Sequence, residues 1–331
     1  MKYRFKIQEK FEAGARRIAA EQLSLAERHL VRANHADTMG VPVHEARKSL
    51  KRVRALLRLL RPCLAKKIYQ RENAALRDIG RELSGPRDRQ VMIDTLAKLR
   101  STALAGVGRA GSGERGRHAF GNNFLGTLSE ALVRQLAAVE TAKSRALATP
   151  LDQLKTARHR WRQLQLREHG FSVVGLGLEQ AYAHGRQTMT GIYLDASDEA
   201  FHELRKHVQF HWRHLLLLER AWPEALTARA KLAKDLSQIL GDDHDMSMLA
   251  AFVSEHRESF GPGGEADGFI EFCRVEQRDL RRHVEPRALL LFAEEPEDFR
   301  QRIRAYWAAA VHTAQEEAME ERDEHQRQLA E

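Results

Sequence analysis

Apolar side chains recur every three to four positions along nearly the whole of this 331-residue chain, and that spacing dictates an all-α fold. Long runs are built from Ala, Leu, Arg, Glu and Gln, without the β-branched clusters or period-two alternation that strands need. The period predicts helices near 8–34, 43–61, 65–83, 88–104, 118–147, 151–168, 172–190, 198–221, 224–239, 244–258, 265–282 and 297–328. Breakers mark their ends. Pro42 opens a helix and Pro62 and Pro223 follow helices, while Gly85-Pro86, Gly241 and Gly261-Pro262-Gly263-Gly264 read as turns. Six glycines between Gly106 and Gly121 predict a flexible loop.

An apolar content of 43% suffices for a core. No apolar run reaches the roughly 18 residues of a membrane span, and the start, Met1 to Lys6, lacks the apolar stretch of a secretion signal. Cys63 and Cys273 stand far apart without a Cys-x-x-Cys pair. That excludes a disulfide scaffold or a cysteine-zinc site and points to a reducing, cytoplasmic setting.

Charge is divided unevenly. Residues 1–165 hold 34 Lys and Arg against 15 Asp and Glu, whereas residues 166–331 hold 20 against 31. Of the 54 cations 41 are Arg, the side chain whose planar fork best holds phosphate or carboxylate oxygens.

Laid over each other at an offset of 158, the two halves repeat. His44-Glu45-Ala46-Arg47-Lys48 matches His202-Glu203-Leu204-Arg205-Lys206, and each is followed by a leucine-rich helix, a proline and an Asp-containing turn. The turns are Gly85-Pro86-Arg87-Asp88 and Gly241-Asp242-Asp243-His244-Asp245. Duplication of a helical unit follows: one domain over 1–331, with a first repeat at 7–165 and a second at 166–325.

At 100° per residue, His44, Arg47, Lys51, Arg54, Arg58 and Arg61 share an arc of about 100° on one helix, flanking an apolar side of Ala46, Leu50, Val53, Leu57 and Leu60. Like charges at these spacings oppose the helix by a few tenths of a kcal/mol each. An anion lying along the column would remove that opposition; a stripe paired with acids of another helix is the competing reading. In the second copy Arg205, Lys206, Gln209, Arg213 and Arg220 fall near His202 in a weaker column. Two such columns facing each other would line a basic central groove or pore and match phosphates along a flexible chain.

The motifs His44-x-x-Arg47-Lys48-x-x-Lys51-Arg52-x-Arg54-x-Leu56-Leu57-Arg58-Leu59 and His202-x-x-Arg205-Lys206, with the turns at Arg87-Asp88 and Leu240 to Asp245, resemble the conserved histidine α-helical domain (CHAD) family over about residues 7–325. The resemblance implies two pseudo-symmetric four-helix-bundle-like repeats around a basic cavity, binding of inorganic polyphosphate, association with polyphosphate granules, and no catalysis or cofactor. It implies His44, Arg47, Lys48, Lys51, Arg52, Arg54 and Arg58 as ligands in the first copy, and His202, Arg205, Lys206 and Arg213 in the second. Gln209 and Phe210 depart from the basic pattern. The Glu-x-Glu-x-Lys strands of the triphosphate-tunnel domain that some members carry do not occur.

Other constellations read as scaffold. His207, His211 and His214 have the spacing of a metal set but lie beside the apolar side of their helix, as interhelix histidines would. His244-Asp245 resembles the central pair of metal-dependent phosphohydrolases, yet capping of helix 244–258 by Asp242 or Asp243 explains the acids, as it does Asp88. Arg158 to Arg162 spread around a helix with one buried Trp, whereas a nucleic-acid patch would gather them. Arg16, Arg17, Lys66, Lys67, Arg71 and Arg77 are candidates to extend the groove. Nucleic acid is expected only as a competing polyanion. Histidine protonation predicts tighter binding as the pH falls toward about 6. The acid-rich tail from Glu294 should lie away from bound polyphosphate or act as an internal competitor.

Overall fold

The computed structural model describes residues 3–33, 40–83, 85–104, 121–143 and 147–330, and the regular elements among them are all helical. They are α1 (Phe11–Ala33), α2 (Gly40–Leu59), α3 (Lys66–Glu82), α4 (Gly85–Leu104), α5 (Asn122–Lys143), α6 (Ala148–Arg162), α7 (Ser172–Leu194), α8 (Asp198–Leu218), α9 (Pro223–Glu255), α10 (Glu265–Arg282), α11 (Val284–Leu291) and α12 (Pro296–Ala330). The all-α expectation holds. The glycine-rich stretch up to residue 120 and the side chains of Arg87 and Asp88, including the expected Asp88 cap, lie outside the described residues.

Local chemistry explains several boundaries. Pro62 lies in a short 3-10 turn that ends the α2 run, since its ring denies the helix a further N–H. Pro223 starts α9, where its missing donor costs nothing. At the head of α8, Ser197 Oγ accepts from Ala200 N at 3.3 Å, with Asp198 and Glu199 in the positive first turn.

Gly241 departs from expectation. In place of a turn between two helices it lies within α9, which runs unbroken for 33 residues. A Cβ at this position would sit 3.3 Å from a guanidinium nitrogen of Arg205, so the glycine makes room for the neighbouring α8 side chain. Asp242 and Asp243 accordingly cap nothing. Asp243 is buried and pairs with Arg281 of α10, whose Nε donates to Oδ1 at 2.7 Å. Burial raises its pKa against the pull of Arg281.

Two apolar clusters organise the packing. The larger draws on α1, α2, α3, α6, α7, α8, the first half of α9, α11 and α12, with Leu56, Leu57, Trp161, Tyr182, Phe292 and Phe299 fully buried. The smaller joins Leu96 of α4 and Leu128 of α5 to Leu249 of α9 and Phe269 of α10. Helices from both sides of residue 165 therefore share each core. Adding 158 to the spans of α1, α2 and α3 brings them onto α7, α8 and the first half of α9. Neighbours recur as well: α1 packs on α2 and α6 as α7 packs on α8 and α12, and α4 on α5 as α9 on α10.

The end of α2 is the junction that matters for the site. The α7 backbone approaches it so closely that a Cβ on Gly177 would lie 1.7 Å from the Leu59 carbonyl oxygen. His214 Nε2 of α8 donates to the Ala55 carbonyl at 2.9 Å. These contacts lay α8 against the last turns of α2, where Arg54 and Arg58 project.

Candidate functional site

On α2, Val43, Ala46, Leu50, Val53 and Leu57 are buried, and the cations flank them as the helical angles require. Arg47 Nη1 donates to the Leu83 carbonyl at 2.9 Å, closing the end of α3. Lys48 is exposed and reaches Glu45 at 3.5 Å. His44 is half-buried and Lys51 exposed on the same flank.

Arg54 and Arg58 form the centre. Arg54 is half-buried, and its Nε, shut off from solvent, has no hydrogen-bond partner among the described residues. Its pKa falls because of burial first, and then because Arg58, Arg77 and Arg81 stand nearby. Burial likewise lowers that of Arg58, with Arg61 adding repulsion and Tyr69 and Glu203 opposing it. The Arg58 guanidinium lies 4.3 Å from the centroid of the Phe210 ring on α8, so the residue that broke the basic pattern seats the central arginine. Arg61 is held 5.4 Å over Tyr69.

From Phe210 the face continues along α8. His207 stacks on His184 of α7, centroids 5.9 Å apart, and Lys206 pairs closely with Glu203. His202 packs against His244 of α9, ring centroids 4.5 Å apart and planes tilted by 38°. Arg205 lies against Gly241, with its buried Nε lacking a partner among the described residues. Burial lowers its pKa, while Asp245, Asp242 and Asp243 pull the other way. The second wall is thus cationic but tempered by acids.

Some expected ligands turn elsewhere. Arg52 donates to Gln22 Oε1 on α1 at 3.2 Å and lies 5.5 Å over Tyr3, so the α1 side takes it. Arg213 is buried, donates to the Gln209 carbonyl at 2.7 Å, and has its pKa pushed down to about 10 by burial. Neither joins the face around Arg54. Of the candidate extensions, Arg16 binds the Leu164 carbonyl, Arg17 binds Glu9 and Arg71 binds Glu72. Lys66 and Lys67 are exposed at the head of α3. Arg77, whose Nε donates to Asp78 Oδ1 at 2.9 Å, still adds positive charge near Arg54, and Arg81, which sequence reasoning missed, does the same one turn further along α3, 3.9 Å from Asp78. The signal was present as an i,i+4 pair, but only packing orients α3. Arg158 and Arg160 pair with Glu27 and the buried Glu72.

The three α8 histidines do not converge. His211 sits among Tyr182, Phe292 and Phe299, His214 faces Ala55, and His207 faces His184. No group of three or more His, Cys, Asp or Glu among the described residues is placed to hold a metal ion. A cleft of about 1320 Å³ lies between the N-terminal segment, α1 and α12, and one of about 750 Å³ between α9 and α10. The expected ligands line neither.

The histidine pKa values bear on the expected pH response of binding. Burial, Lys206 and Arg205 hold His202 below its ordinary value, and burial pushes His207 and His244 down to about 4. Burial thus favours the neutral form of these three rings in the free protein. Histidine burial bears on stability as well. Burial holds His211 well below the ordinary range and His214 at about 4, so both fold as neutral rings. Their contribution is complete above an unfolded value of about 6.5 and is lost as the pH falls below it toward the folded value. At about pH 5.5 each ring should cost roughly 1 kcal/mol relative to pH 7.5. Urea unfolding at the two pH values checks this, with His211→Phe expected to remove one ring's share of the drop, about 1 kcal/mol, and leave the shares of the other buried rings, His207, His214 and His244; equal stabilities would refute it.

A family model of the CHAD domain matches residues 17–254. Comparison with curated proteins finds no match. The matched span runs from within α1 almost to the end of α9 and includes both basic helices. Covering more than two-thirds of the sequence, it establishes that this chain belongs to the CHAD domain family.

Proposed function

We propose that the protein binds inorganic polyphosphate along the face formed by α2, α3 and α8, and does not transform it. The observation that carries this reading is the half-buried Arg54, whose Nε is shut off from solvent without a hydrogen-bond partner among the described residues while Arg58, Arg77 and Arg81 add positive charge around it; Asp78 offsets the outer two, pairing with Arg77 at 2.9 Å and Arg81 at 3.9 Å. Removing cations from water without an anion is costly, and a phosphate chain threaded among them supplies the missing charge and acceptors. Arg54 and Arg58 recur one helical turn apart, about 6 Å, a separation that a flexible phosphate chain can match. His202, His207 and His244, neutral at physiological pH, add hydrogen bonds without charge. A polyphosphate binder of this kind would work in the cytoplasm and collect on polyphosphate granules.

Titration with polyphosphates of defined length at several salt concentrations tests the proposal. Affinity should rise with chain length, and its logarithm should fall linearly with the logarithm of salt. Single-stranded RNA should compete only weakly at physiological salt. Equal affinity for RNA would make this a general polyanion binder. Phosphate release with magnesium or manganese would instead favour hydrolysis at His244-Asp245.

A further inference from the structure

Arg220 belongs by its angle to the weaker column of the second repeat, yet it stands apart from the face around Arg54. α8 ends at Leu218, and the 3-10 turn Glu219–Ala221 carries the arginine into the cleft of about 1320 Å³ between the N-terminal segment, α1 and α12. Trp222 comes next. Pro223 restricts the residue before it to extended backbone, and Trp222 has φ −161° and ψ 93°, so it stands outside α9 and lines the same cleft. Its ring meets Tyr306 of α12 edge to face, centroids 4.8 Å apart and planes at 84°. Such a contact covers at most one face of the indole, and the residue remains 47% exposed. Trp161 and Trp307, by contrast, are buried.

The charges of the lining divide into paired and unpaired. Arg4 is held by Glu219 at 3.2 Å, and Arg17 by Glu9 at 2.7 Å and Glu21 at 3.4 Å. The side chains of Lys6 and Arg220 are exposed and make no hydrogen bond or ion pair among the described residues. Phe5 N donates to the Leu217 carbonyl at 2.9 Å, which brings Lys6 beside the end of α8, close to the turn that carries Arg220. Glu317, the one acid of the lining without a partner among the described residues, stands three turns beyond Tyr306 on α12, roughly 16 Å along the axis. The cleft thus offers an open aromatic face and two free cations at one end, with the opposing acid kept at the other.

That combination fits a ligand with a flat aromatic ring at one end and a strong anion at the other. A nucleobase stacks on an indole whatever its identity, and phosphate oxygens accept charge-assisted hydrogen bonds from guanidinium and ammonium groups. Small-ligand pockets commonly hold roughly 300–1,000 Å³, so the cleft has room for base, sugar and phosphates. We infer that it binds a nucleoside di- or triphosphate, the base stacked on Trp222 and the phosphates on Arg220 and Lys6. The site is separate from the proposed polyphosphate face, since none of Arg54, Arg58, Arg77 and Arg81 lines it.

Calorimetric titration of the full chain with ATP at physiological salt tests this, with and without excess long-chain polyphosphate. ATP should bind under both conditions and quench tryptophan fluorescence. Trp222→Ala should weaken it at least about tenfold, the loss expected for one base stack, and Trp222→Phe should restore most of the affinity. Lys6→Gln combined with Arg220→Gln should also cost at least about tenfold, and adenosine should bind as weakly to the wild type. All three side chains are exposed, so the variants keep the core. No binding at millimolar ATP, unchanged affinity in the variants, or displacement of ATP by polyphosphate overturns the nucleotide site. A 5′-phosphorylated single-stranded RNA carries the same chemistry. Binding of that RNA more tightly than ATP through Trp222 would overturn the free nucleotide in favour of a strand end. Trp222-dependent ATP binding by a protein that ignores polyphosphate would sink the polyphosphate proposal alone.

Discussion

Arg54→Gln combined with Arg58→Gln lowers affinity for long-chain polyphosphate by at least about 100-fold at physiological salt and leaves the helices intact. Each guanidinium can donate charge-assisted hydrogen bonds worth about 1.5–3 kcal/mol. Two together therefore reach roughly 3–6 kcal/mol before non-additivity between neighbours trims the sum, and about 2.7 kcal/mol already corresponds to 100-fold. Stability should hold or rise, because the free protein keeps both groups half-buried and lowered in pKa by burial, with no ion pair to either among the described residues and only Glu203 nearby to offset Arg58. Arg58→Lys sharpens the point: it retains the charge but loses the planar fork and the face-on contact with Phe210, so it should weaken binding without abolishing it. Arg52→Gln and Arg213→Gln serve as controls, since both side chains are engaged around Tyr3 and the α8 backbone. Wild-type affinity in the folded double variant, measured by calorimetry, would remove the face from the proposed function.

What the sequence could specify was the direction of side chains on a single helix. The arc on α2 is fixed by 3.6-residue geometry, and its apolar flank is the side that is buried. Arg52 lies about 80° from His44, outside the arc, and entered the ligand set through the family motif alone. Arg213, by contrast, falls within the arc of α8. Its loss comes from burial beside Tyr3 and Arg52, which no local pattern encodes. Phe210 is the reverse case, an apparent gap in the basic wall that becomes a seat for Arg58 once α8 crosses α2. Gly241 failed for a different reason. Glycine serves a turn through its backbone freedom and a close contact through its missing Cβ, and the sequence does not say which is in use. Similarly, Asp243 looked like a cap because its partner Arg281 lies 38 residues away.

The second large effect concerns Gly177, whose neighbour likewise lies in another helix. Gly177→Ala places a methyl group 1.7 Å from the Leu59 oxygen and 2.6 Å from its carbon, and both are backbone atoms that no rotamer change can clear. Either α7 retreats along its length, uncovering Val173, Val174, Leu178 and Tyr182, or the end of α2 shifts and carries Arg58 away from Phe210. Overpacking of this kind costs about 1–3 kcal/mol when side chains can absorb it and more when the backbone must move, so a loss of at least about 3 kcal/mol is expected in urea unfolding. Gly191→Ala on the same helix meets nothing within 4 Å and should stabilise by about 0.5–1 kcal/mol, because alanine loses less backbone entropy on folding. The two substitutions are chemically identical, so propensity cancels in their comparison and the remaining difference measures the close approach of α7 to α2. Equal stabilities would mean that the helices stand further apart than the contact at Leu59 requires, and with that the placement of Arg58 against α8 would lose its physical basis.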